Sequence, residues 1–318
     1  MAGYNVVVNL EITGKCNARC AMCPRASIAN PKIMDSDTFA KVLDRVCPED
    51  VSRVILAGYG EPTSHPRFPE FLEMLRGHPV QFFMTTNGQL LDEGLLSRMD
   101  GVLDMVLLSF SSIVPEVYAS VHRNLDHERV KQNITLAQKT FKKTKLAISL
   151  SPLPECLETL PKTIAWLKQQ GVSILTMSPT LYNRAGALTD VMESTARLRA
   201  MIRKYGLLSQ EMLFVPSAGN VFFQYMRNSH RCLARNSNLF ISANGDYLYC
   251  YNDISHLNGI GNVDTMPIRE VLRLREKMGP INELCEGCNM QGRYNLREIA
   301  QVAGKYIGGK LSSQQVAA

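Results

Sequence analysis

The chain has 318 residues, 45% of them apolar and 20% charged, with 35 Lys+Arg against 29 Asp+Glu for a formal net charge of +6. That length and composition suit one large or two modest globular domains and exclude a disordered chain. No stretch reaches the ~18 consecutive apolar residues of a membrane span, and the basic residues are scattered apart from Lys139, Lys142, Lys143 and Lys145, so neither a membrane nor a nucleic-acid partner is expected.

The opening MAGYNVVVNLEITGK has no positive n-region, and Asn9 and Glu11 break its apolar run, so it does not resemble an export signal and a cytoplasmic location is expected. Short apolar runs then alternate with segments of helical period. Strands are predicted over 5–12, 52–58, 80–86, 104–110, 145–150 and 172–178. Between them lie helices such as the one carrying Phe39, Val42, Leu43 and Val46 after a Ser36 N-cap, and the one carrying Val130, Ile134, Ala137 and Phe141. Six βα units with right-handed crossovers predict an α/β fold, a partial (β/α)6 parallel barrel with its chemistry at the C-terminal strand ends. The alternation stops near residue 185. A polar helix near 190–205 follows, then NLFISANGDYLYCYN, which reads as a hairpin turning at Asn244-Gly245, then the amphipathic helix of VDTMPIREVLRLREKM. The tail LSSQQVAA reads as frayed. The predicted division is a barrel over residues 1–190 and a smaller cysteine-rich unit over 191–318.

Nine cysteines are many for a cytosolic enzyme and too unevenly placed for a disulfide framework. Cys16, Cys20 and Cys23 form C-x3-C-x2-C on the loop leaving the first strand; Cys232, Cys250, Cys285 and Cys288 form a late group; Cys47 and Cys156 stand apart. Three thiolates so close together hold three corners of an iron–sulfur cubane and leave the fourth iron open. Zinc would want a fourth ligand nearby, and the first histidine is His65. The late group, closed by C-x2-C, fits an iron–sulfur cluster or a structural zinc equally well on spacing alone.

LEITGKCNARCAMC resembles the cluster loop of radical S-adenosylmethionine (SAM) enzymes, in the place where that family carries it. Gly58-Tyr59-Gly60-Glu61-Pro62 at the end of strand 2 resembles the family's GGEP element, whose backbone and Glu engage the amino group of SAM; Thr86-Asn87-Gly88 and Ser109 resemble later SAM contacts. The resemblance covers most of residues 5–185. It implies a 4Fe-4S cluster on Cys16, Cys20 and Cys23, SAM as cofactor, and SAM contacts from Met22, Gly60, Glu61, Pro62, Asn87 and Ser109. Two positions depart from the family. Met22 stands where an aromatic residue commonly packs on adenine, and Ser109-Phe110-Ser111 stands where Ser-x-Asp is frequent. The implied chemistry is one-electron cleavage of SAM to a 5′-deoxyadenosyl radical that removes a substrate hydrogen, with a flavodoxin- or ferredoxin-type electron donor.

The late cysteines resemble the twitch extension, a shortened SPASM domain, which implies a second, fully ligated 4Fe-4S cluster on Cys232, Cys250, Cys285 and Cys288. No cysteine follows Cys288 to serve a further cluster. A fully ligated cluster suits electron transfer, and the order most resembles twitch-type dehydrogenases of aminocyclitols. Dehydrogenation of a sugar- or aminocyclitol-like small molecule in natural-product biosynthesis is therefore the expected reaction. The alternative is epimerisation or maturation of a sugar or peptide, with Cys156, just past strand 5, as hydrogen donor; the few residues before Cys16 cannot hold a leader-recognition module. A non-catalytic zinc-binding protein is the remote alternative. Arg184, after strand 6, is a candidate to hold substrate or to join the two domains, and Cys47 is expected to be structural.

Overall fold

The computed structural model describes residues 3–28, 30–179, 195–210 and 218–290. The six predicted strands are present as β1 (Val6–Leu10), β2 (Val51–Leu56), β3 (Gln81–Thr86), β4 (Met105–Ser109), β5 (Lys145–Leu150) and β6 (Ile174–Met177), each paired in parallel with the next. A two-residue strand, β7 (Leu208–Ser209), extends this edge. The helices are α1 (Ser36–Arg45), α2 (Phe68–Met74), α3 (Glu93–Met99), α4 (Pro115–Val121), α5 (His127–Thr140), α6 (Pro154–Gln169), α7 (Thr195–Tyr205), α8 (Ala218–Arg227), α9 (Leu233–Ser237), α10 (Ile268–Lys277) and α11 (Asn282–Cys285). The partial parallel barrel expected from the alternation is thus the observed architecture, while the 190 boundary itself falls outside the described residues.

Alternation along each strand sorts its side chains. Val6, Val8 and Leu10 join Val54, Leu56, Phe82 and Met84 in the main core beneath the helices. On the opposite face Val7, Ile55 and Phe83 pack with Ala57, Met105 and Leu107 as a separate plug inside the barrel. Further along that inner face the residues become small or polar, as at Asn9, Thr85 and Ser149. The strands' period of two therefore closes one end of the barrel with carbon and opens the other to polar chemistry.

Two local expectations are corrected. Helix α1 is capped by Asp35, whose carboxylate accepts from the Thr38 N–H at 2.7 Å; Ser36 is the first helical residue and its hydroxyl donates to Glu70 at 3.2 Å. The hairpin, β8 (Asn238–Ile241) and β9 (Asp246–Leu248), turns where predicted, with Gly245 at φ 80. It does not stand apart from the barrel. Strand β8 pairs in parallel with β1, and β10 (Gly259–Asn262) pairs with β9, giving one ten-stranded sheet in the order β10-β9-β8-β1-β2-β3-β4-β5-β6-β7.

Glu11, just past β1, is buried at 3% exposure and accepts from the Tyr59 N–H at 2.7 Å. Its desolvation pushes the pKa up to about 7. A carboxyl whose folded-state pKa is raised takes up a proton on folding. Stability from this group is present below the unfolded-state value and is lost as pH rises toward 7. Glu11→Gln should flatten that decline, by up to about 3 kcal/mol, in denaturant titrations from pH 4 to pH 8; an unchanged slope would remove Glu11 as its source.

Candidate functional site

The loop after β1 is tied on three sides. Gly14 N–H donates to Lys32 O at 2.7 Å, Arg19 N–H to Arg123 O at 2.9 Å, Ala21 N–H to Val121 O at 2.8 Å and Glu61 N–H to Lys15 O at 2.8 Å. Cys16, Cys20 and Cys23 line one cavity of about 580 Å³, together with Arg19, Arg25 and Arg123. Burial pushes the Cys20 thiol up to about 12, and the neighbouring Cys23 and Cys16 add to the rise. Three thiols gathered in one pocket become stable thiolates only around a cation. Among the described residues no three His, Cys, Asp or Glu side chains converge as they would on a single ion. A cubane spreads its ligands over separate irons, so this donor set suits it better.

The GEP element is pinned by Glu61. Its carboxylate, fully buried, accepts from Thr63 N–H at 3.1 Å, Thr63 Oγ1 at 2.7 Å, Thr86 Oγ1 at 2.7 Å and Asn87 N–H at 2.7 Å. Desolvation raises its pKa, and these four donors oppose the rise. Glu61 thus fastens the strand-2 end to the Thr86-Asn87-Gly88 turn. Pro62, buried, opens a short 3-10 turn. Gly60 lies against the cluster loop, where an added Cβ would come within 2.0 Å of Thr13 O and 2.6 Å of Lys15 O. Asn87 reaches the same loop, donating to Asn17 Oδ1 at 2.8 Å, with Cys16 Sγ at 4.0 Å. Glu61 and Asn87 therefore join the strand-2 end, the Thr86-Asn87-Gly88 turn and the cluster loop in one hydrogen-bonded frame, against which Gly60 packs.

Ser109 closes β4 opposite Ser149. Ser111, at the position where Asp is frequent, points elsewhere: its hydroxyl lies 2.7 Å from His122 Nε2 and 2.7 Å from Ser151 Oγ, and His122 Nδ1 lies 3.5 Å from Cys20 Sγ. Burial pushes the His122 pKa down to about 4, so the ring is neutral. Ser111 donates its hydroxyl proton to Ser151 Oγ, so it accepts from His122 Nε2–H, and the neutral ring turns an unprotonated Nδ1 toward Cys20 Sγ. Nothing in the sequence marks His122, which is a lone histidine after a short helix.

Cys156 and Met22 share one cluster, with the Ser111 hydroxyl within hydrogen-bonding reach of the Cys156 thiol. Cys156, 1% exposed, packs with Val121 and Leu153 near the start of α6, and Met22 lies against the same cluster. Burial pushes the Cys156 thiol up to about 12. Cys47, past the end of α1, sits 3.9 Å from Asp50 Oδ2. Arg184 lies outside the described residues.

Three of the four late cysteines face the barrel. Cys232, Cys250 and Cys288 line a cavity of about 240 Å³ whose other wall includes Asn9, Thr85 and Ser149. The sulfur of Cys232 accepts the backbone N–H of Arg235. Asn252 donates its side-chain N–H to Cys288 Sγ at 3.1 Å and its backbone N–H to Cys250 Sγ at 3.5 Å. Gly287 at φ 73 turns the chain so that Cys288 N–H donates to Cys285 O at 3.1 Å. Desolvation pushes Cys250 up to about 12, with Cys232, Cys288 and Cys285 adding to the rise, the same signature as in the first pocket. Among the described residues no helix is long and apolar enough to cross a membrane.

Comparison with known proteins agrees with this geometry. Residues 10–167 match the Radical SAM superfamily model. A "Tungsten-containing aldehyde ferredoxin oxidoreductase cofactor-modifying protein" of Pyrococcus furiosus is 28% identical over 195 residues, covering 58% of this chain and 54% of that protein. The chain spans about half the length of such curated relatives. Among solved structures, Streptococcus suis SuiB bound to precursor peptide SuiA superposes with a TM-score of 0.66 at 14% identity, covering 91% of this chain and 70% of SuiB. BtrN in complex with AdoMet and 2-DOIA superposes with a TM-score of 0.53 at 16% identity, covering 91% and 94%. With its cysteine loop, its GEP frame and its parallel barrel, the chain belongs through residues 10–167 to the radical SAM superfamily, whose cofactors are SAM and a 4Fe-4S cluster.

Proposed function

We propose that this protein is a radical SAM oxidoreductase that dehydrogenates a hydroxyl-bearing small molecule of the sugar or aminocyclitol type. In this reading Cys16, Cys20 and Cys23 hold the SAM-cleaving cluster, and Cys232, Cys250, Cys285 and Cys288 hold a second, fully ligated 4Fe-4S cluster. When bound, these groups supply one-electron cleavage of SAM, hydrogen abstraction and an acceptor for the electron left on substrate. A flavodoxin- or ferredoxin-type donor provides the first electron.

The observation that carries the reading is the cavity lined from one side by Asn9, Thr85 and Ser149 and from the other by Cys232, Cys250 and Cys288. A substrate there lies over the polar end of the barrel and against three of the four late thiols. Gln210 donates to Ser149 Oγ at 2.6 Å and Thr176 Oγ1 at 3.1 Å, and Asn9 to Asn238 Oδ1 at 3.3 Å, so the wall offers neutral groups suited to hydroxyls. Met22, Gly60, Pro62, Asn87 and Ser109 shape the SAM site, with Glu61 holding the backbone that receives the amino group.

Anaerobic reconstitution should load roughly eight irons per chain, four for each cubane. Cys285→Ala should leave 5′-deoxyadenosine formation at least partly intact while suppressing the product that lacks a hydrogen pair. A full yield of that product from the Cys285→Ala chain would reduce the late site to a structural centre and defeat the dehydrogenase reading.

A further inference from the structure

Two arginines lie wholly inside the late unit. Arg235 and Arg275 are each 2% exposed. Among the described residues every hydrogen-bond acceptor they meet is neutral. Arg235 donates to Asn236 Oδ1 at 3.0 Å, to Arg275 O and to Met278 O at 3.5 Å; Arg275 donates to Asn238 O at 2.6 Å and Asn236 O at 3.5 Å. Among the described residues neither guanidinium has a carboxylate partner, and the adjacent Glu276 is taken by Arg227 at 2.6 Å. Arg235 Nε is buried with no hydrogen-bond partner among the described residues. Two guanidiniums this close, repelling each other and stripped of water, are strongly unfavourable unless an anion shares their interior.

The late cysteines supply that anion. Arg235 sits one turn beyond Cys232 and lends it a backbone N–H. Its guanidinium lies 4.5 Å over the ring of Tyr249, the residue before Cys250. Burial alone disfavours both guanidinium charges; thiolates at Cys232, Cys250 and Cys285 would favour the charge on Arg235, and those at Cys250 and Cys232 the charge on Arg275. Four thiolates around a metal centre leave it net negative. A pair of permanent cations beside it both keeps it inside the protein and favours the state carrying one electron more.

Resting on the reading that these cysteines hold a cluster, we infer that Arg235 and Arg275 are counter-charges built into the late four-cysteine site, positioned to make it an electron acceptor. They are positioning residues that act through the thiolates. The test uses protein reconstituted anaerobically with iron and sulfide, carrying Cys16, Cys20 and Cys23 as alanine so that a single cluster signal remains. EPR-monitored redox titration of Arg235→Gln and Arg275→Gln should show midpoints below that of the parent, and Arg235→Lys and Arg275→Lys should recover most of the difference. Gln variants that bind iron and keep the parent midpoint would overturn the inference.

Where a Gln variant fails to hold iron, thermal unfolding decides. In a chain with Cys232, Cys250, Cys285 and Cys288 changed to Ser, no anion faces the arginines, so Arg275→Met should raise the melting temperature there and lower it in the loaded parent. Equal losses in both backgrounds would overturn the inference. A parent that binds zinc and no iron would defeat the redox reading alone, since a zinc tetrathiolate is also an anion and the unfolding comparison still applies.

Discussion

Replacing Cys16, Cys20 and Cys23 together by alanine is expected to abolish SAM cleavage and remove about half of the iron, because a three-ligand cubane alone keeps an open iron for SAM. The loop itself should survive. Its shape is fixed by the backbone hydrogen bonds of Gly14, Arg19, Ala21 and Glu61, none of which uses a thiol. The late cysteines face another cavity, so their metal content should not change. Assay of 5′-deoxyadenosine with iron counting on the same samples reads both outcomes. Cleavage surviving in the triple variant would sink the assignment of the first cluster.

Gly60→Ala should be nearly as damaging, although the residue carries no side chain. Its requirement is room. The added methyl would collide with Thr13 O and Lys15 O, at 2.0 Å and 2.6 Å, and both are backbone atoms that cannot swing aside. Either the strand-2 end or the cluster loop must move, at a cost of about 1–3 kcal/mol. The movement falls between Glu61, which ties the Thr86-Asn87 turn, and Cys16. The expected result is a folded chain with weakened SAM binding and a depleted first cluster, measured by equilibrium dialysis and iron content. Gly279→Ala, whose new methyl meets nothing within 4 Å, is the matched control and should behave as the parent. Undiminished SAM binding in Gly60→Ala would mean that the close packing of this loop is irrelevant to the cofactor site.

The barrel was legible because its signal is local. Each strand carries a short apolar run, and the predicted 145–150 coincides with β5, while the others differ at their ends. The cysteine loop and the GEP frame were legible because their chemistry depends on spacing within a few residues. The pairing of β8 with β1 was not, since a short apolar strand such as NLFI carries no mark of its neighbour. His122 and the two buried arginines were invisible for a related reason. Arg235 and Arg275 look like ordinary surface cations of amphipathic segments, and only the tertiary fold turns them inward around the cysteines. Ser111 stands out in the sequence as a departure from the family, yet its engagement with His122 depends on a contact that spacing does not encode.

The pairing of β8 with β1 has a consequence for how the chain acquires its shape. Asn9 and Asn238, which touch across that pair, are 229 positions apart. Until residue 238 has left the ribosome, β1 presents an open edge of Val7, Val8 and Leu10, the kind of edge that recruits other chains. Closing so long a loop is slow, so the nascent barrel must wait with its first strand half-paired. A fragment ending near residue 190 would keep that edge permanently and should aggregate, even though it holds the complete first cysteine loop.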